Sequence, residues 1–131
     1  MDVRVNVLEA IGNTPIVKLN RVTKGLDSNV YIKLEYYNPT GSYKDRMALA
    51  MIEGAEREGI LKPGDTVVEY TGGSTGSSLA LVCAVKGYAL EIVTSDAFSE
   101  EKMNTMKALG AAITMVLSQG GKITPDLVPR M

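Results

Sequence analysis

Thr66-Val67-Val68-Glu69-Tyr70-Thr71-Gly72-Gly73-Ser74-Thr75-Gly76, running on through SSLALVCAVK to Lys86, is the stretch from which the fold can be read. Its first five residues are a short β-branched run of strand type, introduced by turn chemistry at Lys62-Pro63-Gly64-Asp65. The glycine-rich segment Thr71 to Gly76 ends that strand. The next ten residues are apolar nearly all round, which suits a helix buried in a core and stopped at Gly87. A strand passing through a glycine turn into a buried helix is the repeating unit of a parallel α/β sheet.

The same unit recurs on either side. Ala89 to Val93 reads as the next strand. Ser99 ahead of Glu100-Glu101 has the look of an N-cap with acid in the first turn, for a helix that runs to Leu109 and stops at Gly110 before a strand over Ala112 to Val116. Upstream, Val30-Tyr31-Ile32-Lys33-Leu34-Glu35 alternates like a half-buried strand and gives way to a loop rich in Asn, Pro, Gly and Ser. From Lys44, KDRMALAMIEGAERE puts Met47, Ala48, Met51, Ile52 and Ala55 on one helical stripe, with Gly59 as its stop. The expected architecture is α/β, an open parallel sheet of about four strands with helices on both faces in three αβα layers. Before Val30, Leu8 to Ile11 hints at a helical turn and Ile16 to Leu19 at an edge strand. Thr124-Pro125-Asp126 signals a helix start five residues from the terminus, so a truncated or divided protein is expected.

With 131 residues the chain has the length of one domain, against about 150 residues as the usual domain size. Its 45% hydrophobic and 22% charged residues are ordinary for a packed globule. A net charge of -1 without runs of one sign points away from nucleic acid. One cysteine, Cys83, and no histidine exclude an internal disulfide, the common Cys/His metal sites and the Ser-His-Asp and Cys-His triads. Acid-base chemistry is left to Lys, Tyr, Asp, Glu or a cofactor. Met1 to Asn6 lacks a signal-peptide layout, and the longest apolar run, Leu79 to Val85, falls short of the ~20 residues that span a bilayer. The expectation is a reducing, cytoplasmic setting away from membranes.

Ligands of an open parallel sheet sit beyond the carboxyl ends of the strands, where two loops of interest lie. In Asn38-Pro39-Thr40-Gly41-Ser42-Tyr43-Lys44-Asp45-Arg46, Lys44 opens a helix. The helix dipole and Arg46 disfavour its ammonium while Asp45 favours it, so the direction of its pKa shift is not fixed. An amine of lowered pKa attacks aldehydes. The plain alternative is that Lys44 and Asp45 are solvated residues at a helix start. In Thr71 to Gly76, glycines let successive N–H groups converge on an anion, with the Ser74 and Thr75 hydroxyls assisting. The alternatives are a turn needed only for packing, or a dinucleotide site using Gly73, Gly76 and, about twenty residues on, Asp96. No Walker Gly-Lys-Ser/Thr is present.

Taken together, these residues resemble a known family. Asn38 to Arg46 looks like the cofactor-lysine motif of the pyridoxal-phosphate enzymes of the cysteine synthase and cystathionine β-synthase group, and Thr71-Gly72-Gly73-Ser74-Thr75-Gly76 looks like their substrate-carboxylate loop, usually Thr-Ser-Gly-Asn-Thr-Gly. Gly12-Asn13-Thr14-Pro15 and the Ser99 to Gly110 stretch fall where similar segments occur, so the resemblance extends from about Val7 to Lys122. It implies the small domain of a fold-type-II enzyme, with residues 1–29 packing on a larger domain, 30–119 the α/β unit and 120–131 a linker or helix start. Lys44 would then hold pyridoxal phosphate as a Schiff base and remove the substrate α-proton. Ser74 would face the cofactor ring, and Thr71, Gly72, Gly73, Ser74 and Thr75 would hold the carboxylate. The implied reaction is β-replacement on O-acetylserine or a similar amino acid by sulfide or a thiol.

Two substitutions depart from the family pattern: Ser74 where Asn is general, and Gly72 where Ser is usual. The glycine-rich cup for the cofactor phosphate comes from the second half of longer chains in that family. Gly120-Gly121-Lys122 reads as a turn rather than a replacement for it. Such a fragment is expected to self-associate or to form a homodimer through uncovered apolar surface. A stand-alone nucleotide-binding module and a non-catalytic fragment of the same ancestry remain as alternatives. Met47, Met51, Met103 and Met106 read as core filler, Cys83 as an inert buried thiol, and Glu53, Glu56, Arg57 and Glu58 as a solvated helix face. Tyr36, Tyr37 and Tyr43 read as half-wet strand-end rings.

Overall fold

A computed structural model describes residues 3–131. Met1 and Asp2, which belong to the amino-terminal reading above, lie outside the described residues. Two sheets are present. Strands β1 (Ile16–Lys18) and β2 (Tyr31–Lys33) form an antiparallel pair, with Val17 opposite Ile32. Strands β3 (Thr66–Tyr70), β4 (Ala89–Ser95) and β5 (Ala112–Val116) form a parallel sheet in that order. The helices are α1 (Lys44–Arg57), α2 (Ser74–Lys86), α3 (Glu100–Ala108) and the short α4 (Leu127–Arg130).

The α/β class with flanking helices holds, but the parallel sheet has three strands, not four. The stretch Val30 to Glu35 left it for an antiparallel partnership with Ile16 to Lys18, extended by Leu19 N–H donating to the Val30 carbonyl and Leu34 N–H to the Pro15 carbonyl, both at 2.9 Å. Central parallel strands are apolar on both faces. Lys33 and Glu35 carry charge that such a position would bury, and in the hairpin both reach polar partners.

Two steps in one direction, β3 to β4 to β5, with crossovers of the same hand place the connecting helices on one side. Accordingly Ala48 and Ile52 of α1, Leu79, Val82 and Cys83 of α2 and Met106 of α3 make one core with Val67, Leu90, Ile92 and Ile113 of the sheet. Over β3 the opposite face is open rather than covered by a third layer, with Val68 62% and Tyr70 55% exposed. A groove of about 460 Å³ runs between α1 and β3 past Met51, Ile60 and Val68, away from Lys44 and residues 71–75.

Helix ends follow the residue types. Gly87 stops α2 at φ 81°, the left-handed geometry glycine adopts freely, and its N–H returns to the Cys83 carbonyl at 2.8 Å. Ser99 is the N-cap of α3, although its hydroxyl does not close the cap. The helix signalled by Thr124-Pro125-Asp126 begins three residues later, with Asp126 as N-cap and Leu127 fully buried. Among the described residues no helix is long and apolar enough to cross a membrane.

Candidate active site

The path from β2 into α1 is held by a network that begins at Asn38. This buried side chain accepts the Gly12 N–H at 2.9 Å and donates to the Glu35 carbonyl and carboxylate at 2.7 and 3.0 Å. Arg46 closes the other side, with Nε 2.9 Å from Glu35 Oε2 and a second nitrogen 3.1 Å from the Thr14 hydroxyl, which itself donates to Glu35 Oε1 at 2.6 Å. Hydrogen bonds from Arg46, then Thr14, hold the Glu35 carboxyl down at about 2, and the same contact raises Arg46. A Cβ on Gly12 would lie 2.9 Å from the Arg46 guanidinium, so the glycine admits that side chain. Gly12-Asn13-Thr14-Pro15 is therefore the wall against which the Lys44 loop is set.

Asp45 is not a solvated residue. It is 0% exposed, and its carboxylate accepts the Thr40 N–H at 2.8 Å, a very short bond from the Thr40 hydroxyl, and the Ser78 hydroxyl at 2.6 Å. Thr40 and Ser78 come within 3.3 Å of one another on the same carboxylate. These bonds satisfy a charge removed from water and join the first turn of α1 to the second turn of α2. Asp45 thus forms no ion pair with Lys44 among the described residues. The Lys44 ammonium has no hydrogen bond or ion pair among the described residues and lies 4.8 Å from the centroid of the Tyr43 ring.

The second loop leaves β3 with Thr71 N–H still donating to the Val93 carbonyl at 3.0 Å, which sets its height on the sheet. Gly73 is the N-cap of α2, and no side chain caps that helix. The first N–H groups, at Ser74 and Thr75, have no helical acceptor, and the Ser74 and Thr75 hydroxyls make no hydrogen bond among the described residues. The buried Ser77 hydroxyl in the same turn also has no partner. The amino end of this thirteen-residue helix thus presents unpaired N–H donors and the positive end of the helix dipole. Gly76 is obligatory for another reason, since a Cβ there would lie 2.5 Å from Met106 Sδ and 2.7 Å from Thr71 Cγ2.

Several plainer readings are also decided. Asp96 accepts the Ser118 N–H at 2.7 Å and the Ser95 hydroxyl at 3.1 Å, which lowers its pKa and commits it to bracing its own loop. Gly120 and Gly121 both have positive φ, and Gln119 pairs with Lys122 across them, so this stretch is a turn. Burial pushes the Cys83 thiol up to about 11, as befits an unreactive core cysteine. Met103 and Met106 are core, whereas Met51 is half exposed. Glu56 is drawn out of the solvated face by Lys86 at 2.8 Å and the Tyr88 hydroxyl at 2.9 Å. Tyr36 and Tyr37 stack at 4.7 Å in the open. Sequence reading passed over Glu35, Ser78 and Phe98, the last of which packs on Gly72. A signal for the buried acid was available: Asp45, Ala48 and Ile52 stand at i, i+3 and i+7 on one face.

A lysine-opened helix and a glycine-fed helix, tied at their starting ends beyond a parallel sheet, define a fold with counterparts among cofactor enzymes. The family model described as pyridoxal-phosphate dependent enzyme matches residues 7–127, and the chain belongs to that family. Cysteine synthase of Staphylococcus aureus is 54% identical over 110 residues, covering 84% of this chain and 36% of the relative. Cystathionine beta-synthase of Rattus norvegicus is 52% identical over 110 residues, covering 82% of this chain and 20% of the relative. Among solved structures, cysteine synthase from Entamoeba histolytica aligns at TM-score 0.86 and 37% identity over 98% of this chain and 39% of its own. O-ureido-L-serine synthase aligns at TM-score 0.83 and 41% identity over 92% of this chain and 39% of its own. The chain thus spans about a third of the length of the curated cysteine synthases it matches.

Proposed function

We propose that residues 30–119 form the substrate-side domain of a pyridoxal-phosphate-dependent β-replacement enzyme of the cysteine synthase kind. Its substrate is O-acetylserine or a related β-substituted amino acid, whose β-substituent leaves (as acetate from O-acetylserine) and is replaced by sulfide or a thiol to give cysteine or an analogue. Residues 1–29 serve to pack on a larger domain and 120–131 to lead towards it. The observation that carries the reading is the 2.6 Å hydrogen bond between Asp45 and Ser78, because it holds the helix that begins at Lys44 against the helix fed by Thr71 to Gly76. The helix opened by Lys44 and the helix with the uncapped N–H groups are thereby joined near their first turns.

The residues present suit the cofactor's reactive end. Among the described residues Lys44 has no ion-pair or hydrogen-bond partner, the Ser74 hydroxyl makes no hydrogen bond, and the buried Ser77 hydroxyl has no partner. Pyridoxal phosphate, when bound, supplies an aldehyde for an amine and a ring that accepts electron density. Lys44 would hold that aldehyde, and its amine would serve as the base for the proton on the amino acid's α-carbon. Thr71, Gly72, Gly73, Ser74 and Thr75 grip the carboxylate through N–H and hydroxyl donors, aided by the α2 dipole, and so fix the direction of the C–H bond. Ser74 would face the cofactor ring. The partners are then a small amino acid and a second copy of the protein, the open face around Val68 and Tyr70 favouring homodimerisation or other self-association. No nucleic acid or membrane is involved, and the setting is cytoplasmic.

Borohydride reduction of the cofactor-loaded protein, followed by peptide mapping, tests this directly. The label is expected on Lys44 and absent from Lys44→Ala. A label on any other lysine would overturn the assignment.

A further inference from the structure

Gly72 and Phe98 occupy one space between them. A Cβ built on Gly72 would stand 2.2, 2.3 and 2.4 Å from Cδ1, Cγ and Cε1 of the Phe98 ring, so the ring fills the space that a side chain at residue 72 would need. No real side chain fits at residue 72 while the ring is there. The clash is with the root of the ring, not with a flexible tip, so a small rotation does not relieve it. The Phe98 backbone is held by its N–H, which donates to the Ser95 carbonyl at 3.1 Å in the turn that leaves β4. The two residues therefore join the β4–α3 turn to the loop between β3 and α2, at the carboxyl ends of adjacent strands.

We propose that Phe98 is a positioning residue for substrate binding, acting through Gly72. The inference rests on the reading of residues 71–75 as the carboxylate loop. The ring fills the volume of a residue-72 side chain and presses on the loop backbone from the outer side. It thereby sets the aim of the neighbouring N–H groups and leaves an apolar wall, not a hydroxyl, beside the carboxylate. A loop built this way binds the carboxylate through backbone N–H groups and through Ser74 and Thr75. At residue 72, steric support from the ring stands in place of a side-chain hydroxyl.

The pairing has a signature in a double-mutant cycle on the pyridoxal-phosphate-loaded protein that carries this chain. O-acetylserine affinity is read by spectral titration, and kcat and KM by turnover. Phe98→Ala frees the loop and is expected to raise KM about tenfold with kcat nearly unchanged, the pattern of lost binding rather than lost chemistry. Gly72→Ser is expected to raise KM about as much when Phe98 is present, through overpacking. In the Phe98→Ala background the same change should lower KM about fivefold, because the serine fits and adds a donor. Phe98→Leu, which keeps apolar bulk, covers the case in which Phe98→Ala does not fold, and melting temperature of the apoprotein gives a readout free of turnover: Gly72→Ser should cost several degrees only with Phe98 in place. Equal effects of Gly72→Ser in both backgrounds would overturn the pairing. Borohydride labelling of Lys44 in each variant separates the two levels: label retained with no coupling defeats this inference alone, whereas label absent from Lys44 in the unmutated protein defeats it together with the reading beneath it.

Discussion

The Ser78 hydroxyl and the Asp45 carboxylate meet at 2.6 Å across the α1–α2 interface, thirty-three positions apart in the chain. The bond is charge-assisted and out of water, so Ser78→Ala should lower the unfolding free energy by about 2 kcal/mol. Urea titration followed by circular dichroism measures it. A change indistinguishable from zero would mean that the carboxylate is served well enough by Thr40 alone.

Lys44 contrasts with its neighbour. Among the described residues its ammonium makes no hydrogen bond or ion pair, and it lies 4.8 Å from the centroid of the Tyr43 ring. Lys44→Ala should therefore shift stability by no more than about 1 kcal/mol. The same variant should lose all borohydride-fixed cofactor, and a large loss of stability would show instead that the lysine is structural.

Glu35 sets an acid limit. Its pKa in the fold, about 2, lies below its ordinary value of 4.5, so its contribution is complete above 4.5 and disappears as pH falls through about 2. Melting temperature should decline over that window, and Glu35→Gln should remove this part of the slope while lowering the plateau above it. A Glu35→Gln protein with an unaltered acid profile would refute the assignment.

Gly76→Ala should destabilise the protein by about 1–3 kcal/mol, since the new methyl meets both Met106 and Thr71. Met106 ends in a flexible thioether, but Thr71 is anchored through its N–H to Val93. Met106→Ala should accordingly rescue only part of the loss, as thermal unfolding of the double variant would report.

Cys83 should resist thiol reagents in the native state and react at once on unfolding, because burial both hides the thiol and raises its pKa to about 11. Reaction as fast in native buffer as in denaturant would contradict the buried placement.

What could be read from residue order alone was the part governed by local rules. The apolar surround of α2, its stop at Gly87 and the β-branched runs of β3, β4 and β5 are decided within a few residues of themselves. The partnership of β2 was not, because alternation tells that a strand has two faces but not which strand lies beside it. The two charges in Val30 to Glu35 were the available warning against a central position. At the site, the lysine and the glycine loop announce themselves by type, whereas Ser78, Glu35 and Phe98 matter only through partners 33, 11 and 26 positions away. Asp45 lies between these cases: its sequence neighbours suggest solvent, but its helical phase with Ala48 and Ile52 declares it interior.

Arg46 stands two residues beyond Lys44 yet binds Glu35 and Thr14, which belong to the segments flanking the small β1–β2 hairpin. The hairpin is consequently a lever bolted to the base of α1. A displacement of the hairpin would therefore bear first on the Arg46 guanidinium, two residues along the chain from Lys44.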